Sequence, residues 1–200
     1  RHLDLAVDRR VLIPRPETEV VAGVAIELAA AVPGPRTVAD LGTGSGAIGL
    51  SLADELPVGD TAVWITDVSD DALAVARANL AGIGRAAANV RLAAGSWFDA
   101  LPGELRCDVI VSNPPYVADG SPDLADSVLE WEPATALFAG PDGLDDIRVL
   151  VGGAPDHLAP DGRLVLEIGA DQGAAVLDLF DAHGYRDRSI RPDLTGRDRV

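Results

Sequence analysis

A tetrapeptide in the second half of the chain, Asn113-Pro114-Pro115-Tyr116, has the residue types needed to hold a planar amide. The two prolines fix the backbone and remove two N–H donors, so the segment offers mainly carbonyl acceptors. The side-chain oxygen of Asn113 and a neighbouring main-chain carbonyl could accept both hydrogens of an –NH2 group, which would turn its nitrogen towards a methyl donor. Tyr116 offers an apolar face against which a flat amide or base could pack. A proline-stiffened turn without a chemical role is the alternative interpretation.

The chemistry that suits this tetrapeptide is positioning rather than covalent catalysis. An amide nitrogen is a weak nucleophile because its lone pair is delocalised, and no Cys, His or Lys near the motif could attack a substrate covalently. Holding the amide in line with a methyl carbon inside a water-poor pocket would favour methyl transfer. No cluster of His or Cys predicts a metal.

A second loop, Asp40-Leu41-Gly42-Thr43-Gly44-Ser45-Gly46, predicts a nucleotide-like cofactor. Its alternating glycines allow a tight turn, so that a ligand can lie against main-chain atoms. The stretch from Gly44 to Gly49 also fits the G-x-G-x-x-G dinucleotide pattern, and NAD is therefore an alternative. The earlier start of the glycines and the Asp40 carboxylate, which a pyrophosphate would crowd, favour S-adenosylmethionine, which carries a cationic sulfonium and an amino group.

The acid Asp67 ends the next predicted strand. An ionised carboxylate only accepts hydrogen bonds, so Asp67 could bind both ribose hydroxyls of a nucleoside cofactor. A helix-capping role is the alternative, but Ser69 already provides a cap. We therefore interpret Asp67 as a ribose ligand, with Val68 beside it in the cofactor site.

Alternating strands and helices must position these loops. The hydrophobic patterns predict strands at 37–41, 62–66, 90–93, 109–112 and 163–168, a weaker strand at 185–191, and helices at 20–31, 48–56, 70–81, 142–158 and 171–183. This order predicts an α/β, Rossmann-like fold, with a mostly parallel sheet covered by helices on both faces and ligands at the carboxyl ends of its strands. Leu3 to Val7 and Val11 to Ile13 predict a short β-hairpin before this fold.

Composition limits the class of protein. The 200 residues predict one domain, and 16 basic residues, all of them Arg, against 32 acidic ones give a net charge of −16. An acidic surface repels phosphates, which argues against a nucleic-acid partner. No apolar run is long enough to span a bilayer, and the sequence shows no secretion signal. The single cysteine, Cys107, favours the reducing cytoplasm, and a monomer is expected.

At this point the chain resembles the HemK/PrmC protein-(glutamine-N5) methyltransferases over nearly its whole length. Leu12 to Glu19 is similar to the family's I-P-R-P-[DE]-T-E segment, Asp40 to Gly46 to its S-adenosylmethionine loop, and Asn113 to Tyr116 to its substrate motif. The other matching segments are Ser96 to Phe98, Glu132-Pro133, Ala136-Leu137, Gly140 to Leu144, Leu166 to Gly169 and Gly196 to Val200.

The resemblance implies methylation of the glutamine in the Gly-Gly-Gln loop of peptide-chain release factors, with S-adenosylhomocysteine as the second product. It implies that Asn113, Pro114, Pro115 and Tyr116 hold the glutamine, and that Asn113 also lies at the cofactor. It further implies that one aromatic residue of Trp97-Phe98 lies by the adenine. The residues that would border the active-site entrance are Arg15, Glu17 and Thr18.

The chain departs from the family pattern in two ways, and the sequence leaves several alternative functions open. Residues 1–14 are expected to be only the connecting hairpin of the family's N-terminal helical domain, and residues 15–200 the methyltransferase domain with its last strand cut short. The alternatives within methyl transfer are a ribosomal-protein glutamine and an exocyclic amine of a nucleobase. The alternatives outside it are an NAD-dependent oxidoreductase and a non-catalytic binding module.

Overall fold

A parallel sheet forms the centre of the protein, as the sequence predicts. The computed structural model describes residues 1–122 and 126–200. The strands within these ranges are β1 (Arg36–Leu41), β2 (Thr61–Asp67), β3 (Val90–Ala94), β4 (Cys107–Ser112) and β5 (Leu158–Leu166). They pair in the order β3-β2-β1-β4-β5, with every neighbour parallel. The helices are α1 (Thr18–Ala31), α2 (Ala47–Glu55), α3 (Asp70–Leu80), α4 (Asp126–Trp131), α5 (Asp145–Gly153) and α6 (Gly173–Ala182).

Helices cover both faces of the sheet because the inner strands are apolar on both faces. Val109 and Val111 of β4 belong to one buried cluster, which includes residues of α1 and α2. Ile110 between them belongs to a second cluster, which includes residues of α5 and α6. Successive side chains of a strand point to opposite faces, so a strand with both faces buried needs an unbroken apolar sequence. This pattern confirms the predicted Rossmann-like α/β class.

The chain reverses its direction of sheet growth between β1 and β4, and this reversal opens a crevice. β2 and β3 lie on one side of β1, whereas β4 and β5 lie on the other. Asp40 is in register with Ile65 of β2 and Val111 of β4, so the carboxyl ends of the three strands are close to level. Ligands of open α/β sheets bind at this switch point.

The structure corrects the prediction of an N-terminal hairpin at residues 3–13. Residues 1–17, all of which the structure describes, contain a turn near Arg10 but no strand. The segment gains its contacts from the domain instead: Leu3 and Leu5 pack on the first cluster, and Val11 packs against α3. In place of a pairing strand, the Asn79 side chain accepts from the Ala6 N–H at 2.8 Å and donates to the Ala6 carbonyl at 2.9 Å.

The C-terminal part also differs from the predicted elements. The helix predicted at 142–158 starts at Asp145 and ends at Gly153, because Gly143 has a positive φ of 72° before it and a 3-10 turn containing Pro155 follows. Residues 185–191 form no strand: Tyr185 donates to the Val151 carbonyl at 2.8 Å, and Arg191 bonds Val200 through the main chain. In residues 1–122 and 126–200, no helix is long and apolar enough to cross a membrane.

Candidate functional site

The two chemically distinctive loops meet in one cavity of about 290 Å³ at the switch point. Asn113 and Pro115, which follow β4, line it together with the glycine loop that follows β1. This shared cavity is the arrangement that methyl transfer to a bound amide requires. The other sequence-predicted residues that line it are Thr18, Asp40, Gly42, Thr43, Gly44, Ser45, Asp67, Val68 and Trp97.

Asp40 is a buried carboxylate beneath the glycine loop. Its Oδ2 accepts from the Thr43 hydroxyl at 2.6 Å and from the Gly49 main chain at 2.8 Å. Its Oδ1 is also buried, yet it has no hydrogen-bond partner among the described residues. Burial raises the Asp40 pKa to about 6, against the two hydrogen bonds that lower it. A buried, unpartnered carboxylate oxygen at a cavity wall fits the cationic groups of S-adenosylmethionine.

Gly46 ends the glycine loop and begins α2. It has φ 89°, in the left-handed region that side chains rarely adopt. The loop turns there into α2, after Gly42, Thr43, Gly44 and Ser45 have lined the cavity, and Gly46 itself does not line it.

Asp67 connects the ends of β1 and β2. Its Oδ2 accepts from the Gly44 main chain and its Oδ1 from that of Ser69, both at 2.9 Å. Each carboxylate oxygen can accept a second bond, so these contacts leave capacity for ribose hydroxyls. Val68, which is 71% exposed, lies beside it on the cavity wall. The ribose role of Asp67 stays a prediction.

The structure separates the two candidate aromatic residues. Trp97 lines the cavity, lies against Gly42 and donates a hydrogen bond to Asp146. A Cβ on Gly42 would lie 3.0 Å from the Trp97 ring. Phe98 instead stacks on His157, with ring centroids 4.7 Å apart, in the second buried cluster. Of these two residues, Trp97 lines the cavity and Phe98 does not, and the adenine contact stays a prediction.

Strand β4 delivers the tetrapeptide to the cavity. The Ser112 hydroxyl donates to the Leu41 carbonyl at 2.7 Å, which ties the end of β4 to that of β1. Asn113 and Pro115 then line the cavity, whereas Pro114 is buried. Tyr116 packs beside the second buried cluster, and its hydroxyl donates to Glu167 at 3.3 Å. Burial and the nearby Glu167 raise the pKa of Tyr116 to about 12, so its hydroxyl keeps its proton.

Glu167 is a site residue that the sequence reasoning missed. It follows β5 and is 1% exposed. Its Oε2 accepts from the Thr18 hydroxyl at 2.8 Å, and the Thr18 oxygen accepts from Asn113 Nδ2 at 3.3 Å. Burial raises the Glu167 pKa, whereas the hydrogen bond from Thr18 and the charge of Arg199 lower it. Its signal in the sequence is an acidic residue within an otherwise apolar stretch at the carboxyl end of a strand.

Arg15 and Glu17 lie outside the cavity lining. Arg15 pairs with the buried carboxylate of Glu132, which joins the start of α1 to the segment after α4. It also lines a neighbouring groove that shares Pro14 and Thr18 with the cavity. Glu17 is half-buried next to Thr18. Both residues therefore border the cavity without lining it.

The cavity has further walls that the sequence reasoning did not assign to the site. Residues of the N-terminal segment, which it treated as a connecting hairpin, form one wall. Burial raises the pKa of Asp146, and the Trp97 hydrogen bond opposes this shift. Among the described residues, no group of three or more His, Cys, Asp or Glu side chains is arranged to hold a metal. The added wall residues are Arg10, Val11, Leu12, Pro14, Ala47, Ile48, Ser69, Ala72, Gly95, Ser96, Pro133, Thr135, Ala136 and Asp146.

Comparison with known proteins gives consistent relatives. The family model "Methyltransferase small domain" matches residues 25–132. The chain is 47% identical over 195 residues to the release factor glutamine methyltransferase of Neisseria gonorrhoeae, covering 97% of this chain and 68% of that protein. It is 49% identical over 195 residues to that of Cereibacter sphaeroides, covering 97% and 66%. The chain therefore spans about two thirds of the length of these two relatives.

A solved structure shares the fold. The ribosomal protein L11 methylase of Lactobacillus delbrueckii subsp. bulgaricus superposes with a TM-score of 0.65 over 92% of this chain and 77% of that one, at 22% identity. At this identity the similarity concerns the arrangement of strands and helices alone. It agrees with the class I S-adenosylmethionine-dependent methyltransferase fold.

Proposed function

The chain belongs to the release factor glutamine methyltransferase family, and we propose that it methylates N5 of the glutamine in the Gly-Gly-Gln loop of a peptide-chain release factor. One observation carries this proposal: Asn113 and Pro115 line the same cavity as the glycine loop. A carboxamide held by Asn113 then lies beside the place where a methyl donor would bind. Membership of this family sets aside the NAD-dependent and non-catalytic alternatives.

The residues of the cavity fit S-adenosylmethionine. When bound, it supplies a methyl group on a positively charged sulfur. We propose that Asp40 attracts the cationic methionine end, since its buried Oδ1 has no other partner in the described part of the chain. We assign the ribose hydroxyls to Asp67 and the adenine to Trp97, with Val68 beside them. The main chain of Gly42 to Ser45, which lines the cavity, would surround the rest of the ligand.

The tetrapeptide would orient the glutamine through hydrogen bonds. Asn113 Oδ1 and a main-chain carbonyl of the proline segment each accept one amide N–H, which leaves the nitrogen lone pair directed at the methyl carbon. Cofactor and glutamine together would displace water from the cavity, so these dipoles would act in an environment of lower dielectric constant. Tyr116 supports this loop from behind through Glu167. Orientation and electrostatics are the contributions that these residues make.

Asn113→Ala tests the proposal. The wild-type chain, incubated with isotopically labelled S-adenosylmethionine and unmethylated bacterial release factor, should place one methyl group on the Gly-Gly-Gln peptide, as measured by mass spectrometry. Asn113→Ala should lower kcat by about 10²-fold or more, because it removes an acceptor that positions the nucleophile. The affinity for S-adenosylmethionine should fall much less than kcat, because Asn113 is only one of several residues assigned to the cofactor.

Asn89→Ala is the matched control, since the Asn89 amide has no hydrogen-bond partner among the described residues and is not part of the cavity lining. It should methylate the release factor as the wild type does. A release factor with Glu in place of the target Gln should take no methyl group. Normal transfer by Asn113→Ala, or labelling of a ribosomal protein but of no release factor, would contradict the proposal.

We propose in addition that the chain acts as a monomer in the cytoplasm. Burial raises the pKa of the only cysteine, Cys107, to about 12, so it stays an unreactive thiol that needs no oxidising compartment. A net charge of −16 also opposes self-association. Sedimentation velocity at physiological salt should give a single species near 20.7 kDa.

A further inference from the structure

A single side chain links the buried carboxylate of Glu167 to Asn113, the residue proposed to bind the substrate amide. Thr18 stands between them: its hydroxyl oxygen is 2.8 Å from Glu167 Oε2 and 3.3 Å from Asn113 Nδ2. The three residues come from the strand end after β5, the start of α1 and the loop after β4. They are brought together only by the fold, since Thr18 and Glu167 are 149 positions apart.

The number of protons in this chain of hydrogen bonds fixes the direction of each bond. Both oxygens of Glu167 accept hydrogen bonds, Oε2 from Thr18 and Oε1 from Tyr116, so the single Thr18 proton points to Glu167. The Thr18 oxygen then has only lone pairs on its other side, so it can accept a hydrogen bond there but cannot donate one. Asn113 must therefore present Nδ2 to Thr18, which leaves Oδ1 on the opposite side of its planar amide.

We infer that Glu167 is a positioning residue that acts through Thr18 to fix the orientation of the Asn113 carboxamide, so that Oδ1 is offered to the substrate –NH2 group. This inference rests on the proposed function only for the identity of that substrate. The orientation of Asn113 in the free protein follows from the hydrogen bonds alone.

The second oxygen of Glu167 holds the other end of the tetrapeptide. Its Oε1 accepts from the Tyr116 hydroxyl at 3.3 Å, and the Tyr116 oxygen lies 3.4 Å from Arg199 Nη1. Arg199 also donates to the Ile168 carbonyl at 3.0 Å. One carboxylate therefore contacts both ends of the motif, directly at Tyr116 and through Thr18 at Asn113. The charged groups near this carboxylate are Arg199 and Glu17.

The fixed orientation has a consequence for specificity. If Asn113 were turned over, it would present Nδ2 to the substrate, and an N–H donor there would favour a carboxylate. With Oδ1 presented, an amide –NH2 is favoured and a glutamate carboxylate meets an unfavourable oxygen. Glu167 would thus help the site to distinguish glutamine from glutamate without touching either.

Glu167→Gln keeps the size of the side chain but replaces one acceptor oxygen by a donor, so the first bond can reverse its direction. The Gln amide can donate to Thr18, whose own proton is then free to bond Asn113 Oδ1, and the carboxamide can turn over. We expect kcat for a release factor to fall by about 10²-fold, with an unchanged Kd for S-adenosylmethionine in calorimetry. Glu104→Gln, at an exposed position outside the cavity lining, is the matched control and should keep the wild-type kcat.

Thr18 offers an independent test that does not disturb the buried charge. Thr18→Ser keeps the hydroxyl and should keep kcat close to that of the wild type. Thr18→Val keeps the shape but removes the hydroxyl, and it should lower kcat as Glu167→Gln does. The double variant Thr18→Val/Glu167→Gln should have a kcat little lower than that of either single variant, because both substitutions break the same chain of bonds. If Thr18 had a merely structural role, Thr18→Ser and Thr18→Val would not differ in kcat alone.

A measurement on the free protein separates this inference from the proposed function. In a two-dimensional ¹H–¹⁵N spectrum, the Asn113 side-chain NH2 signals are identified by their loss in Asn113→Asp. They should shift in Thr18→Val and in Glu167→Gln, and stay in place in Thr18→Ser and Glu104→Gln. If Glu167→Gln does not fold, the Thr18 pair decides.

The outcomes separate the two claims. Unmoved Asn113 signals or a wild-type kcat in Thr18→Val would overturn the positioning role of Glu167. Shifted signals together with a wild-type chain that methylates no release factor would overturn the proposed function and leave the orientation of Asn113 supported.

Discussion

Asp40 shows how a single buried group adapts a general cofactor loop to a cationic ligand. One of its oxygens is used within the protein, in bonds to Thr43 and Gly49. The other is buried and has no partner in the described residues. An unpaired buried carboxylate is costly, and the Asp40 pKa of about 6 expresses that cost. A cationic ligand would remove it, so stability has been exchanged for binding at this residue.

The first prediction concerns the pH dependence of ligand binding. Below about pH 6, Asp40 of the free protein holds a proton that must leave when a cationic ligand binds. The Kd for S-adenosylmethionine should therefore rise as pH falls from 7 to 5, by at most about tenfold per pH unit. Calorimetry in buffers of different ionisation enthalpy should show proton release. Asp40→Asn should bind weakly and without this dependence.

Asp54→Asn, at an exposed position of α2, is the control and should keep the wild-type pH profile. Stability gives a second measurement. Because the pKa of Asp40 is raised in the folded state, its proton stabilises the ligand-free fold. The contribution of Asp40 to the free energy of unfolding should decrease as pH rises from 4 through about 6. The opposite slope, or equal slopes in wild type and Asp40→Asn, would contradict the assigned burial.

At the level of elements, helix α3 connects the N-terminal segment to the glycine loop. The Asn79 amide accepts from the Ala6 main chain and donates to the carbonyls of Ala6 and Ser45. The residue is 6% exposed, so water cannot replace these partners. The segment that forms one wall of the cavity is thereby held by the same side chain as the loop opposite it.

Asn79→Ala should weaken both parts together. Three main-chain groups would lose their partner, and the free energy of unfolding should fall by about 1–3 kcal/mol in chemical denaturation. The affinity for S-adenosylmethionine should fall as well, because the loop at Ser45 loses its support. Asn89→Ala removes a buried amide without a partner in the described chain, so it should not lower the free energy of unfolding and should leave the affinity unchanged. Equal effects of the two substitutions would show that Asn79 has no connecting role.

At the level of the whole molecule, the balance of charge is strongly negative. The 16 arginines are outnumbered by 32 acidic residues. Part of this excess is paired locally, as where Arg148 contacts Asp142 and Asp145. The net charge of −16 nevertheless means that folding brings like charges together.

Added salt should therefore stabilise the protein. Raising NaCl from low to near-molar concentration screens the repulsion, and the Tm in differential scanning calorimetry at pH 7.5 should rise. Most of the increase should occur at the lower concentrations, where the screening length changes most. An uncharged osmolyte at equal osmolality controls for general solvent effects. A Tm that falls with NaCl would mean that surface ion pairs outweigh net repulsion.

Residue order alone was enough to predict which loops share the cavity. Asp40, Asp67 and Asn113 each end or follow an apolar run, and parallel strands bring their carboxyl ends to one edge of a sheet. The rule needs only local residue order, so the alternating fold and the meeting of the two loops were predictable. The exact ends of α5 and the path of the C-terminal segment were less so, because turns and caps shift them by a few residues.

Packing between distant segments selected the remaining residues of the site. It placed Trp97 rather than Phe98 at the cavity, turned the predicted hairpin into a cavity wall, and joined Thr18 to Glu167. The physical reason is that these contacts depend on packing between segments far apart in the chain. Neither periodicity nor spacing encodes which loop side chain contacts which strand end. The orientation of the Asn113 amide depends on such a contact.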